Sequence, residues 1–212
     1  MKYLSTALIT ASLLTLMSCS DDDAPMPSYQ FSLAELTADA TGRATRIVLD
    51  DGEELPLTQS ISGLRSDSTY RIQALYTTDG QSLTLHQRAS VLAPKVVRIA
   101  ADRVKTDPVG VTACWQGAHY INLRLNIQGT AQAVHYLGFN QTNFVRHANG
   151  TRTLCAELVH GQNNDPLYYT RDTYLSLPLR PLQSLLRTRT DSISLTVNTF
   201  DGPRTYTFLF IP

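Results

Sequence analysis

The chain has 212 residues, with 18 Lys+Arg balanced by 18 Asp+Glu, and 42% of its residues are hydrophobic. That composition suffices for ordinary globular cores, and the charge balance argues against a polyanionic partner such as nucleic acid. In chain order the first element is a targeting segment, in which Lys2 precedes an apolar stretch from Leu4 to Leu16 that ends in small residues. The stretch is shorter than the roughly 20 apolar residues of a membrane-spanning helix. The acidic run Asp21–Asp23 follows too soon to extend it, so residues 1–18 are expected to be removed as a leader.

Leu16-Met17-Ser18-Cys19 resembles the lipobox of bacterial lipoproteins, in which a peptidase cuts before a cysteine already carrying lipid. The thiol of Cys19 is the nucleophile the lipid requires, and palmitate-type chains on it give a durable anchor, each buried methylene contributing ~0.8 kcal/mol. Ser20, Asp21, Asp22 and Asp23 resemble the acidic signal that sends lipoproteins of some anaerobic Gram-negative bacteria to the outer face of the outer membrane. The expected location is therefore lipid-anchored at the cell surface, with a periplasm-facing position as second choice. Residues 19–27, with Pro25 and Pro27, read as a solvated tether.

From Ser28 the dominant period is two, the pattern of antiparallel sheet. Runs at Tyr29–Thr37, Arg43–Leu49, Glu54–Leu57, Tyr70–Thr77 and Gln81–Gln87 predict five strands, with Asp51-Gly52 and Asp79-Gly80 as turns. Five short strands and one longer connection fit a closed OB-like barrel over residues 28–92. A second set begins at Lys95–Ala100 and continues through Val109–Trp115, Tyr120–Ile127, Ala133–Phe139, Arg152–His160, Asp172–Leu177, Asp191–Thr199 and Thr205–Ile211. In Tyr120–Ile127 the alternation places Ile121, Leu123, Leu125 and Ile127 inward and Asn122, Arg124 and Asn126 toward water. Leu177–Arg187 reads as a short helical or turn crossover. These strands predict an immunoglobulin-like antiparallel β-sandwich over residues 94–212 without the immunoglobulin cysteine and tryptophan fingerprint. The fold class is thus all-β, a barrel followed by a sandwich. Its charge is uneven: residues 28–92 hold five Arg against eight acids, residues 94–212 twelve Lys+Arg against seven, which reads first as a solvated basic surface and second as favouring an acidic or anionic ligand for the second half.

Leu49-Asp50-Asp51-Gly52-Glu53-Glu54-Leu55 and Tyr70-Arg71-Ile72-Gln73-Ala74-Leu75-Tyr76, with Asp107-Pro108-Val109, Trp115-Gln116-Gly117, Tyr120-Ile121-Asn122-Leu123 and Val197–Gly202, resemble NigD-like lipoproteins. The resemblance covers most of the mature chain. It implies an N-terminal OB domain followed by a C-terminal β-sandwich, and through the family name a link to bacteriocin-associated loci.

Enzyme motifs such as G-x-S-x-G, H-E-x-x-H, the P-loop and G-x-G-x-x-G do not occur, so no catalytic residue, metal ligand or cofactor is expected. His86, His119, His135, His147 and His160 lack paired spacing and read as surface or satisfied side chains. The carboxylates of Asp50-Asp51-Gly52-Glu53-Glu54 surround a turn, but successive strand residues diverge, which disfavours calcium. The loop His160–Pro166 reads as flexible and polar. Trp115, Tyr168 and Tyr169 are candidates for stacking on sugar rings, and adjacent Tyr168 and Tyr169 cannot both face inward. Cys114 and Cys155 are a candidate disulfide in an oxidising compartment. The expected function is a non-catalytic surface lipoprotein that binds a glycan or an envelope protein. Alternatives are an envelope hydrolase with a loop-built site and an immunity-type factor for a secreted peptide.

Overall fold

Apolar and polar side chains alternate through both halves of the chain, and the backbone follows them into sheet. The structure, a computed structural model, describes residues 28–130 and 132–212. The lipidation residue Cys19 and the acidic run Ser20–Asp23 lie outside the described residues. Five strands, β1 (Gln30–Thr37), β2 (Ala44–Leu49), β3 (Glu54–Ile61), β4 (Thr69–Thr78) and β5 (Leu83–Ser90), close into a barrel in the order β1-β2-β3-β5-β4. β1 pairs with β4 along its whole length, and a parallel contact between Leu57 of β3 and Leu83 of β5 completes the ring. Ile72, Ala74 and Tyr76 of β4 point inward, as their alternation requires, and pack with Leu36, Ile47 and Leu83. Gly52 sits at φ +96°, in the left-handed region the Asp51-Gly52 turn needs.

The second half forms a two-layer sandwich from β6 (Val96–Val97), β7 (Gly110–Gln116), β8 (Tyr120–Gly129), β9 (Tyr136–Arg146), β10 (Arg152–Gly161), β11 (Tyr169–Pro178), β12 (Ser192–Thr199) and β13 (Gly202–Leu209). One sheet runs β13-β12-β10-β9-β6 and the other β11-β8-β7. Ile121, Leu123, Leu125 and Ile127 of β8 face Leu154, Ala156 and Leu158 of β10 and Ile193, Leu195 and Val197 of β12 in one core. Each fully buried Leu or Ile there contributes about 1.5–3 kcal/mol. In the crossover after β11, a 3₁₀ turn at Arg180–Leu182 buries Leu182, and Leu186 closes the same core.

Two strands depart from the sequence expectation. The strand expected at Lys95–Ala100 shrinks to Val96–Val97, followed by a 3₁₀ turn at Ala101–Arg103. The strand expected at Ala133–Phe139 starts at Tyr136 and runs on to Arg146. Its first residues are drawn away from the ladder because His135 is hydrogen-bonded into the adjacent loop.

Barrel and sandwich meet across a polar seam built from the motifs that carry the family resemblance. Arg71, on the outer face of β4, is buried, and its guanidinium meets Asp50, Asn122 Oδ1 at 2.9 Å, Ser176 Oγ at 3.3 Å and the face of the Tyr120 ring at 4.1 Å. Asp50 also accepts from Trp115 Nε1 at 2.7 Å and from Asn122 Nδ2 at 3.0 Å. Beside this, Glu35 accepts from the Tyr120 hydroxyl at 2.6 Å and from Arg180 Nη1 at 2.8 Å. Backbone bonds tie the same surfaces, Ala118 N–H to Asp50 O at 2.7 Å and Ser176 N–H to Leu92 O at 3.0 Å. Gly117 is required where it stands: a Cβ there would collide with the Asp50 carboxylate and approach its backbone oxygen to 2.7 Å. Asn122 is therefore fully buried, contrary to the expectation that it faces water. The outer face of β8 is the face the barrel covers.

Candidate functional site

The seam accounts for several residues that the sequence left open. Trp115 is half-buried, with its indole N–H committed to Asp50 and its ring edge-on to Tyr174 at 6.5 Å, so it belongs to the domain junction and not to an exposed stacking surface. Among the carboxylates of Asp50–Glu54, Asp50 turns into the seam, Asp51 caps its own turn by accepting from Glu53 N–H, and Glu54 pairs with Arg46. They diverge as successive strand positions must.

Cys114 and Cys155 are free thiols, which corrects the candidate disulfide. Cys114 on β7 packs against the sandwich core, where burial pushes its thiol up to about 12. Cys155 on β10 lies between the inward-facing Leu154 and Ala156 and so points to the outer face of the other sheet. The two sulfurs stand on opposite sides of a sheet and cannot be bridged.

The exposed polar and aromatic side chains gather at one end of the sandwich. There the β8–β9 and β10–β11 connections both pass from one sheet to the other, and strand ends Gly129, Tyr136, Gly161 and Tyr169 mark the rim, Gly129 paired with Tyr169 and Gly161 with Tyr136. A third segment joins them, because Lys105 O accepts from His160 N–H at 2.9 Å and Asp107 N–H donates to His160 O at 3.0 Å. The loop after His160 is pinned: Gln162 N–H donates to Asp107 Oδ2 at 2.7 Å and Asn163 Nδ2 to Val134 O at 2.6 Å. Asn163 and Asn164 hold φ of +54° and +59°, a region asparagine tolerates better than most residues. The loop read as flexible and polar thus has two of its polar groups partnered within the rim.

Beneath the rim lies a buried chain that sequence spacing does not reveal. Asp165 Oδ2 meets His135 Nε2 at 3.0 Å, His135 Nδ1 meets His160 Nε2 at 2.9 Å, and His160 Nδ1 meets Asp107 O at 2.9 Å. Asp165 also accepts from Thr130 N–H at 2.7 Å and from the Thr130 hydroxyl. The carbonyl at the far end can only accept, so His160 carries its proton on Nδ1 and accepts at Nε2 from His135. On its other side His135 Nε2 lies against the Asp165 carboxylate, so the chain runs unbroken from Asp165 to Asp107 O. Gly129 makes room for it, since a Cβ there would approach His135 Nε2 to 2.8 Å and clash with Asp165. The hydroxyl of Thr130 holds the Asp165 carboxyl below its ordinary value, and burial holds the His160 ring below 6.5. The remaining histidines are satisfied separately, His86 with Thr77, His147 with Thr153, and His119 beside Arg180.

A measurable consequence follows for His160. In ring-nitrogen NMR at pH 7 it is expected to show a protonated Nδ1 and a bare Nε2, and to ionise only below 6.5. The unfolded chain would take up that proton first, so the stability tied to the neutral ring is present above about 6.5 and falls as the pH drops below it. A ring that titrates at or above 6.5 in the folded protein would contradict this assignment.

Over the chain opens a cleft of ≈ 660 Å³ lined by Arg98, Arg103, Lys105, Tyr136 and Asn163, with Ile99 and Ala100 at its base. Around the same end stand Tyr168 at 75% and Tyr169 at 69% exposure, with Tyr136 at 54%. Both adjacent tyrosines are exposed, where the sequence required only one, because Tyr168 precedes β11 and Tyr169 is its first residue. Among the described residues no group of three or more His, Cys, Asp or Glu side chains is arranged to hold a metal.

The chain is similar in fold to several proteins of known structure. Its fold is that of a NigD-like immunity protein from Bacteroides caccae (TM-score 0.65, 21% identity, 86% of this chain and 98% of that one). It is also that of a candidate toxin-related protein from Parabacteroides distasonis (TM-score 0.66, 15% identity, 85% and 92%) and of a candidate lipoprotein from Bacteroides fragilis (TM-score 0.62, 15% identity, 87% and 98%). No curated protein matches. The profile of the NigD-like C-terminal beta sandwich domain matches residues 93–210, more than half of the sequence, and the chain accordingly belongs to the NigD-like family.

Proposed function

We propose that this NigD-like protein is a lipid-anchored, non-catalytic envelope protein that binds a glycan with the loop end of its sandwich. The observation that carries the reading is the exposure of Tyr136, Tyr168 and Tyr169 at one end of the sandwich, at strand ends and a loop joined by a buried hydrogen-bond chain. Large side chains exposed at one end of a domain mark binding surfaces, flat rings stack on the apolar faces of sugars, and groups held by the fold lose little entropy on binding. The non-catalytic reading is supported by His135 and His160, whose four ring nitrogens all have fixed partners and leave no base for a substrate. The lipobox at Cys19 and the B. fragilis relative described as a candidate lipoprotein support the anchor. The signal Ser20–Asp23 supports placement on the outer face of the outer membrane.

A glycan array and a pull-down from envelope extracts with residues 20–212 test the proposal. Glycan binding is expected, falling about tenfold in the Tyr168→Ala, Tyr169→Ala double variant, the loss of about 1.4 kcal/mol, with an unchanged thermal midpoint. Absence of glycan binding, or binding indifferent to both tyrosines, would overturn it. The name of the B. caccae relative favours a second reading, an immunity-type role, which capture of a peptide in place of a glycan would support.

A further inference from the structure

We infer that the cleft of Arg98, Arg103, Lys105 and Tyr136 is an anion subsite that takes the carboxylate or sulfate group of an acidic sugar. The inference rests on the reading of this end as a glycan-binding face and specifies the glycan. Three cationic side chains converge on one opening: Arg98 follows β6, Arg103 ends the 3₁₀ turn, and Lys105 lies beside the end of β10. All three are exposed, and among the described residues none makes an ion pair. Elsewhere on the sandwich Arg124, Arg152, Arg180, Arg187 and Arg204 each meet a carboxylate. Of the seven Lys and Arg side chains of the sandwich that make no ion pair among the described residues, Arg98, Arg103 and Lys105 line this one cleft, and like charges held together unpaired repel until an anion arrives.

The cations are held in place by the fold. Ile99 N–H is bonded to Asn140 Oδ1 at 2.9 Å, and Asn140 Nδ2 donates to Glu157 at 2.7 Å, which fixes the backbone next to Arg98. Lys105 reaches Asn163 Oδ1 at 3.4 Å, and its stem passes the Cα of Gly161 closely enough that a Cβ there would lie 3.2 Å from Lys105 Cδ. Two guanidinium groups offer paired N–H donors that match carboxylate and sulfate oxygens, and Tyr136 supplies a ring beside them for the sugar's apolar face. The one carboxylate in the adjoining depression, Asp107, is already occupied by Gln162 N–H. An acidic peptide fits less well, because the edge strand next to Arg98 is only Val96–Val97, too short to pair with an added strand, and the cleft has only Ile99 and Ala100 to receive apolar side chains.

Calorimetric titration of residues 20–212 with oligogalacturonate, a neutral galactan of equal length and poly-glutamate tests the inference. Oligogalacturonate is expected to bind at least about tenfold more tightly than the other two, with an affinity that falls steeply as salt rises. The Arg98→Ala, Arg103→Ala double variant is expected to lose about tenfold or more of that affinity. Arg146→Ala, at the opposite end of β9, is expected to leave it unchanged. Poly-glutamate binding as tightly as oligogalacturonate, or Arg146→Ala weakening binding as much as the double variant, would overturn the inference in favour of unspecific charge attraction. Tight binding of the neutral galactan that depends on Tyr168 and Tyr169 would overturn the anion subsite and leave the glycan-binding proposal standing, whereas silence in every arm and on the array removes both.

Discussion

Replacing Arg71 with alanine is expected to lower the stability of the folded chain by about 3–5 kcal/mol, the cost of removing one partner from a buried ion pair. The variant leaves the Asp50 carboxylate bonded to Trp115 and Asn122 with no cation beside it, and it strips a donor from Asn122 Oδ1 and Ser176. The loss falls on the seam, so urea unfolding is expected to separate into two transitions, one for each core. Protease is expected to cut the segment between β5 and β6 more readily. Arg71→Lys should recover little, because a single ammonium cannot replace a guanidinium that reaches Asp50, Asn122 and Ser176 at once. Replacing both charges, Arg71→Met with Asp50→Leu, should recover much of the loss, since buried pairs often exchange for apolar residues at little net cost. An Arg71→Ala protein that unfolds in one transition at the original midpoint would show that the seam does not couple the domains.

The second large effect is expected at Asp191, the residue before β12. Its carboxylate is fully buried and accepts from Arg152 N–H at 2.9 Å, Arg152 Nε at 2.8 Å, Arg187 N–H at 2.7 Å and Arg187 Nη2 at 3.0 Å. It joins the end of the crossover to the start of β10, and its own backbone holds Phe210 through a 2.8 Å bond. Asp191→Ala is expected to cost about 3 kcal/mol, the low end for a broken buried pair because both arginines keep some access to water. The Arg187 side chain, more than any other contact, holds the Asp191 carboxyl far below its ordinary value of 3.8. With the folded value below the unfolded one, the unfolded chain takes the proton first. The stabilisation is complete above about 3.8 and is lost progressively as the pH falls below it. Thermal midpoints measured from pH 5 down to pH 2 should therefore fall less steeply in Asp191→Asn than in the parent, and equal slopes would refute the assignment.

Strand positions and the identity of the core were legible because they are local. The alternation of Ile121, Leu123, Leu125 and Ile127 states which face is apolar, and that face is buried. Alternation says nothing about what covers the other face. Arg71 and Asn122 stand at positions that read as solvent-facing, and only the docking of one domain on the other buries them. The motifs of the family resemblance held the missing signal: Asp50, Arg71, Trp115, Gly117, Tyr120 and Asn122 belong to four separate runs that meet at this junction. Arg71 is the one charged residue in Tyr70–Tyr76, which fits a buried partner, whereas Asp50 is hidden among the carboxylates of Asp50–Glu54 and nothing in the run sets it apart.

The loop end was less legible. His135, His160 and Asp165 are assembled from two connections that cross between sheets, and no spacing rule links them. The surplus of Lys and Arg in the second half was visible as a count, but the meeting of Arg98, Arg103 and Lys105 at one cleft depends on a strand that ended after two residues. That at least one of Tyr168 and Tyr169 is exposed was legible from the opposite directions of neighbouring strand residues, and the exposure of both depends on β11 starting only at Tyr169.

The composition of the domain junction bears on how such a chain is made. The barrel is synthesised first, and until the remaining residues arrive it must present Glu35, Asp50 and Arg71 to water. Ions hydrate well when unmet, so a half-finished molecule presents a largely hydrated junction to its neighbours at the stage when partly folded intermediates would otherwise aggregate. An oily junction of equal area would bind as firmly in the finished product but would expose a greasy surface at every earlier moment.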